Sequence, residues 1–127
     1  MTTDASLSEL VELLAAIDVA ADRYVGVNSF ENLLVGLRDL LRSGRVDRTD
    51  AASELRRLAT EWPPGAVEAL EFTMHEFRWP EVREALEDHR VSGVDFRTRD
   101  LAARVIQSFE DDWPEGDIYG TYRPVES

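Results

Sequence analysis

Apolar residues recur along this chain at three- and four-residue intervals, in runs separated by polar, glycine and proline breaks. That spacing predicts amphipathic helices, because residues at i, i+3, i+4 and i+7 share one helix face. Leu7, Leu10, Val11, Leu14, Ile17 and Ala21 form the first stripe, opened by Ser6 and Glu9 at capping-box spacing. After a break at residues 26–29, Asn28 and Glu31 make a second cap pair for Phe30, Leu33, Leu34, Leu37 and Leu41, and Ser43-Gly44 reads as a stop. Thr49 or Asp50 caps a third helix carrying Ala51, Leu55, Leu58 and Trp62. Pro63-Pro64-Gly65 ends it, and Pro64 suits the first turn of a fourth, whose stripe is Val67, Leu70, Met74 and Phe77, widened by Phe72. Trp79-Pro80 breaks the chain again. Val82, Ala85, Leu86 and His89 line a fifth helix that stops at Ser92-Gly93. Asp95 or Thr98 opens a sixth, with Leu101, Ala102, Val105, Phe109 and Trp113 inward, until Pro114 and Gly116 end it.

Period-two alternation is missing, so the expected class is all-α: about six helices in antiparallel hairpins, as a compact bundle or a short α-solenoid-like stack. Residues 1–127 read as one helical domain, with 118–127 as an extended or flexible tail. Trp-Pro occurs three times, at Trp62-Pro63, Trp79-Pro80 and Trp113-Pro114. Those spacings fit a helical repeat. Nothing else repeats in phase, so the favoured reading is a tryptophan that closes a core beside a proline that ends or opens a helix.

Composition narrows the function classes. With 127 residues, 43% of them hydrophobic, the chain is long enough for one core without a metal or disulfide. Cysteine is absent, which removes disulfides, thiol catalysis and thiolate metal sites. Residues 1–6 carry no basic side chain, and no apolar run exceeds that of Leu13 to Ile17 or Leu33 to Leu37. The expectation is therefore a cytoplasmic protein with no membrane partner. All 14 basic side chains are arginine, against 26 acids, for a net charge of −12. Like charge repels nucleic-acid backbones, so no nucleic acid is expected as partner.

No constellation for catalysis stands out, and no catalytic, cofactor or metal residue is expected. His75-Glu76 begins like a metalloprotease helix, but Trp79 stands where the second histidine belongs. His75 and His89 each border an apolar face and read as boundary histidines bonded to neighbours. A metal-dependent enzyme built on this pair is the second alternative. There is no glycine-rich phosphate loop, no lysine for phosphate or Schiff-base chemistry, no nucleophile elbow around a serine, and no calcium-loop spacing near Asp111, Asp112, Glu115 and Asp117.

Charge placement is more informative. Glu76, Glu81, Glu84, Glu87 and Asp88 fall on the polar sides of the fourth and fifth helices. Glu110, Asp111 and Asp112 stand near the end of the sixth, where the helix dipole disfavours negative charge. Trp113 and Tyr119 beside them are residue types that anchor interfaces. These ten residues form the candidate partner-binding set, although a solvated face, with the aromatics folded back on the core, would produce the same pattern. Between Arg38 and Arg57 the bias reverses: six arginines alternate with Asp39, Asp47, Asp50 and Glu54, which are expected to pair with them.

The stretch Ala69-Leu70-Glu71-Phe72-Thr73-Met74-His75-Glu76-Phe77-Arg78-Trp79-Pro80, together with Phe109-Glu110-Asp111-Asp112-Trp113, resembles small acidic helical immunity proteins of bacterial polymorphic-toxin and contact-dependent inhibition systems. The resemblance covers roughly residues 65–115; the arginine-rich first half lies outside it. It implies a non-enzymatic cytoplasmic protein that covers a cognate toxin domain, often a basic nuclease. The expectation is thus a module neutralising a basic protein partner through an acidic surface, and the first alternative is a structural or regulatory adaptor that forms a homo-oligomer. A mimic of DNA, whose acidic rows imitate phosphates, differs only in its partner.

Overall fold

The computed structural model describes residues 5–23 and 30–122, except the side chain of Glu115. It is all-helical: α1 (Ala5–Arg23), α2 (Glu31–Ser43), α3 (Arg48–Glu61), α4 (Ala66–Phe77), α5 (Pro80–Ser92) and α6 (Phe96–Gln107), followed by a short 3₁₀ helix, Pro114–Ile118. No strand occurs among the described residues.

The helices pack as three successive hairpins, α1 on α2, α3 on α4 and α5 on α6. In addition α3 touches both α1 and α5, and α4 touches both α2 and α6. Odd and even helices therefore form two rows, the arrangement of a short α-solenoid-like stack. The middle hairpin is covered on both sides, and α4 pays for its place with burial of nearly its whole circumference: Ala66, Val67, Ala69, Leu70, Glu71, Phe72, Thr73 and Met74 are all buried. Ala66 and Ala69 keep the helix thin, and Thr73 satisfies its own hydroxyl by donating to the Ala69 carbonyl at 2.7 Å.

The three tryptophans do what a core-closing residue beside a proline should. Trp62, Trp79 and Trp113 are all buried. Pro63 follows the end of α3, Pro80 is the first residue of α5, and Pro114 starts the 3₁₀ helix. Gly65, between α3 and α4, has φ +81°, and a β-carbon there would lie 2.8 Å from Cγ2 of Ile17. The close seat of α1 on this turn therefore needs glycine.

Several helix ends differ from the sequence expectation. The first helix already includes Ala5, so Ser6 lies inside it. Asn28 lies outside the described residues, and the N-cap of α2 is Phe30, with no side-chain cap bond. Asp47, not Thr49 or Asp50, caps α3 by accepting the Asp50 amide at 3.2 Å. Asp95 caps α6 as expected, accepting the Thr98 amide at 2.7 Å. The sixth helix ends at Gln107, short of Phe109 and Trp113, because Ser108, Phe109 and Glu110 bond three residues back and tighten the chain into turns.

Residues 118–122, expected as the start of an extended or flexible tail, are fastened down; residues 123–127 lie outside the described set. Beyond α6 the chain crosses the even row. Tyr119 and Tyr122 reach α4, and the amides of Gly120 and Thr121 bond the Glu31 carboxylate at the start of α2, at 2.8 and 2.9 Å.

Candidate functional site

Two groups of acidic residues stand out, and the fold treats them oppositely. The first is a single carboxylate, Glu71, with no exposed surface. On α4, Val67, Leu70, Glu71 and Met74 follow i, i+3, i+4, i+7, so this acid sits within the apolar stripe. Its two oxygens are shared between two elements: Arg104 of α6 donates from Nε to Oε1 at 3.1 Å, and the Tyr119 hydroxyl donates to Oε2 at 3.0 Å. Burial pushes the Glu71 carboxyl up to about 7, with the Arg104 guanidinium and the Tyr119 hydrogen bond pulling the other way. The Tyr119 phenol is itself raised far above its usual range, first by burial and then by the facing carboxyl, so it remains a donor.

Around this pair the crossing segment builds an aromatic layer. Tyr119 meets Phe72 edge-on with centroids 5.2 Å apart, and His75 lies 4.8 Å from Trp113 and 4.9 Å from Tyr122. The Tyr122 hydroxyl donates to the Phe72 carbonyl at 2.6 Å, and burial raises its phenol to about 12. His75 Nδ1 is 2.9 Å from the Ser108 carbonyl oxygen. A carbonyl only accepts, so Nδ1 carries the proton.

Trp113 and Tyr119, expected as exposed interface anchors, are therefore corrected to interior residues, 7% and 0% exposed. Their rings pack against Phe72 and His75 of α4 and against each other, and Tyr119 serves as the partner of a buried acid. His75 is a boundary histidine bonded to a neighbour. Among the described residues no group of three or more His, Asp or Glu side chains is placed to hold a metal ion.

The second group lies on the α5 side. Glu84, Glu87 and Asp88 occupy α5, and Glu110, Asp111 and Asp112 follow the end of α6. Arg83 joins the two sets, with nitrogens 3.8 Å from Glu87 and 3.9 Å from Glu110 while its guanidinium lies 5.5 Å from the Phe109 ring centre. Arg78 reaches Asp111 at 2.8 Å, yet the Asp111 side chain stays 96% exposed. Arg90 pairs with Glu87 at 2.8 Å. Glu84, Asp88 and Asp112 are exposed and have no ion-pair partner among the described residues. Acids more than 20 positions apart in sequence thus form one edge, with three arginines set among six carboxylates.

Glu76 and Glu81 are placed differently. Glu76 receives two hydrogen bonds from Arg42 of α2, at 3.0 and 2.6 Å. Glu81 takes one from Arg48 of α3 at 2.8 Å, and the same guanidinium lies 4.4 Å from the Trp79 ring centre. These acids tie helices together. The arginine-rich stretch is accordingly only partly self-paired. Arg38 meets Asp39 and Arg57 meets Glu54, but Arg42, Arg45 and Arg48 reach Glu76, Glu9 and Glu81 on other helices.

No helix among the described residues is long and apolar enough to cross a membrane. Compared with protein-family models, curated proteins and solved structures, the chain gives no match.

Proposed function

We propose that this chain is a protein-binding module that offers the α5–α6 carboxylate edge to a basic partner. In its finer form the proposal is an immunity or inhibitor protein that neutralises a basic toxin domain by covering it. The observation that carries the reading is the convergence at Arg83 of two acidic segments distant in sequence, with Glu84, Asp88 and Asp112 left without counter-ions among the described residues. Carboxylates in water gain little from sitting side by side, and the net charge of −12 already serves solubility. Such an edge steers a cationic surface toward it and speeds association, an effect that weakens as salt rises. Trp113 and Tyr119 are interior and so do not serve as the aromatic anchors of such an interface.

The test compares the native chain with the variant Glu84→Lys/Asp88→Lys/Asp112→Lys. A basic protein captured by the native chain from its own cells, with an on-rate that falls with salt, and lost from the variant at unchanged thermal stability, supports the reading. Equal binding by the two, or an on-rate indifferent to salt, overturns it.

A second reading, a homo-oligomeric adaptor, is favoured by the apolar tip of the α5–α6 hairpin, where Val91, Val94 and Phe96 are 70%, 93% and 75% exposed. Sedimentation of the pure chain separates the two: a native chain that runs as a monomer removes the adaptor, and an oligomer that dissociates on Phe96→Ser supports it.

A further inference from the structure

Away from the acidic edge, α1 departs from the pattern of a helix with one apolar face. Leu10, Leu14 and Ile17 enter the core, as its stripe requires. Val11, Ala15 and Val19, spaced by four, form a second apolar row, and all three are exposed. Val11 and Ala15 stand in the wall of a cleft of about 240 Å3, which Leu58 of α3 and Pro63 and Pro64 of the following turn also line. A lone exposed valine is ordinary, whereas an apolar row that runs beside an apolar cleft is the mark of a contact surface. Charge says what kind of body it contacts. Between Ala5 and Asp22 the helix carries Glu9, Glu12, Asp18 and Asp22 and no basic side chain. Arg45 holds Glu9 at 3.0 Å. Glu12, Asp18 and Asp22 are in no ion pair among the described residues, and Asp18 lines the cleft. Arg57, the cation in the lining, is already shared between Glu54 and Glu61, at 3.3 and 3.0 Å. The cleft therefore joins apolar walls to an excess of negative charge.

We propose that the cleft between α1 and α3 receives an amphipathic helix of a second protein. Its apolar side chains pack on Val11, Ala15 and Leu58, and lysines or arginines beside them meet Glu12, Asp18 and Asp22. From Val11 to Val19 α1 rises about 12 Å, so the row faces about two turns of the incoming helix. A helix fits better than an extended peptide, because α1 and α3 satisfy their own backbone groups and present no strand edge to be extended. The surface lies on α1 and α3, apart from the carboxylates of α5 and of residues 110–112, and the inference does not depend on the role given to that edge.

The probe is a synthetic peptide of leucine and lysine, about 18 residues long, with its leucines on one helix face. Its control is a peptide of the same composition with the leucines spread around the helix. Titration calorimetry on the full chain is expected to give saturable binding of the amphipathic peptide with a Kd of about 10 μM, and the control is expected to bind at least about tenfold more weakly. In proton–nitrogen NMR the amides of Val11, Ala15 and Asp18 are expected to shift in step with binding. Ala15→Arg and Val11→Lys, both at exposed positions, are each expected to weaken binding at least about tenfold while circular dichroism reports an intact helical fold. Glu84→Lys/Asp88→Lys/Asp112→Lys is expected to keep the α1 shifts and to bind within about threefold of the native chain. No saturable binding, equal binding of the control peptide, or undiminished binding in Ala15→Arg or Val11→Lys overturns the site. Binding lost only from the triple variant assigns the peptide to the α5–α6 edge and overturns it as well.

Discussion

Glu71, midway along α4, and Asp112, beyond the end of α6, are both acids, and the chain places them in opposite surroundings. Glu71 is enclosed and its oxygens are consumed by Arg104 and Tyr119. Asp112 is exposed and has no counter-ion among the described residues. The difference lies in what surrounds them, not in their own chemistry. A carboxyl taken out of water must be compensated by fixed donors, whereas one left in water is free to act at a distance. The interior group ties α4 to α6 and to the crossing segment; the edge group stays in solvent.

That contrast is broken most severely at the interior. Glu71→Ala leaves the Tyr119 hydroxyl without an acceptor and opens a void beside Phe72, and is expected to lower stability by about 3 kcal/mol in urea unfolding. A loss as small as that of a surface change means that the clamp is ornamental.

The next effect is on pH. Glu71 has a folded value of about 7 against an ordinary 4.5, so the folded state holds its proton more tightly than the unfolded state. Its contribution is fully present below pH 4.5 and is lost as pH rises through about 7. The total is at most about 3 kcal/mol. Glu71→Gln keeps an acceptor for Tyr119 and cannot ionise. The stability difference between native chain and variant, measured at several pH values, is expected to move against the native chain across that window. A difference that is flat with pH sinks the assignment.

A smaller effect tests the ties between helices. Arg48→Ala removes both the bond to Glu81 and the stack on Trp79, and is expected to cost about 1 kcal/mol, more than Arg42→Ala, whose partner Glu76 offers no ring. The smallest expected change in stability belongs to the edge. Glu84→Lys/Asp88→Lys/Asp112→Lys is expected to stay within about 0.5 kcal/mol of the native chain by the same measurement. A large loss there turns the edge into a structural feature and removes its contrast with the interior.

The stripes at Leu7–Ala21 and Phe30–Leu41 and those after them suffice to read six helices, because each buries one face and its residues recur on that face. They do not reveal that α4 is covered almost all round, since that depends on which helices pack across it. Glu71 was nevertheless legible in principle: an acid in the i+4 slot of the Val67, Leu70, Met74 stripe violates the pattern of an amphipathic helix. Its partners were not. Arg104 lies 33 positions away and Tyr119 48, and no local spacing links them. The same holds for Trp113 and Tyr119, whose residue types suit an interface and a core equally. The acids of α5 and of residues 110–112 were visible as composition, but their meeting at Arg83 required the antiparallel pairing of α5 with α6.

The crossing segment also bears on the order of assembly during synthesis. All six helices leave the ribosome before Tyr119 and Thr121 do, yet the middle helix lacks the phenol for its enclosed carboxyl, and Glu31 lacks two of its amide donors, until those residues emerge. A nascent chain halted within α6 is therefore expected to be helical but loosely closed, and to become resistant to protease only when the next fifteen or so residues are free.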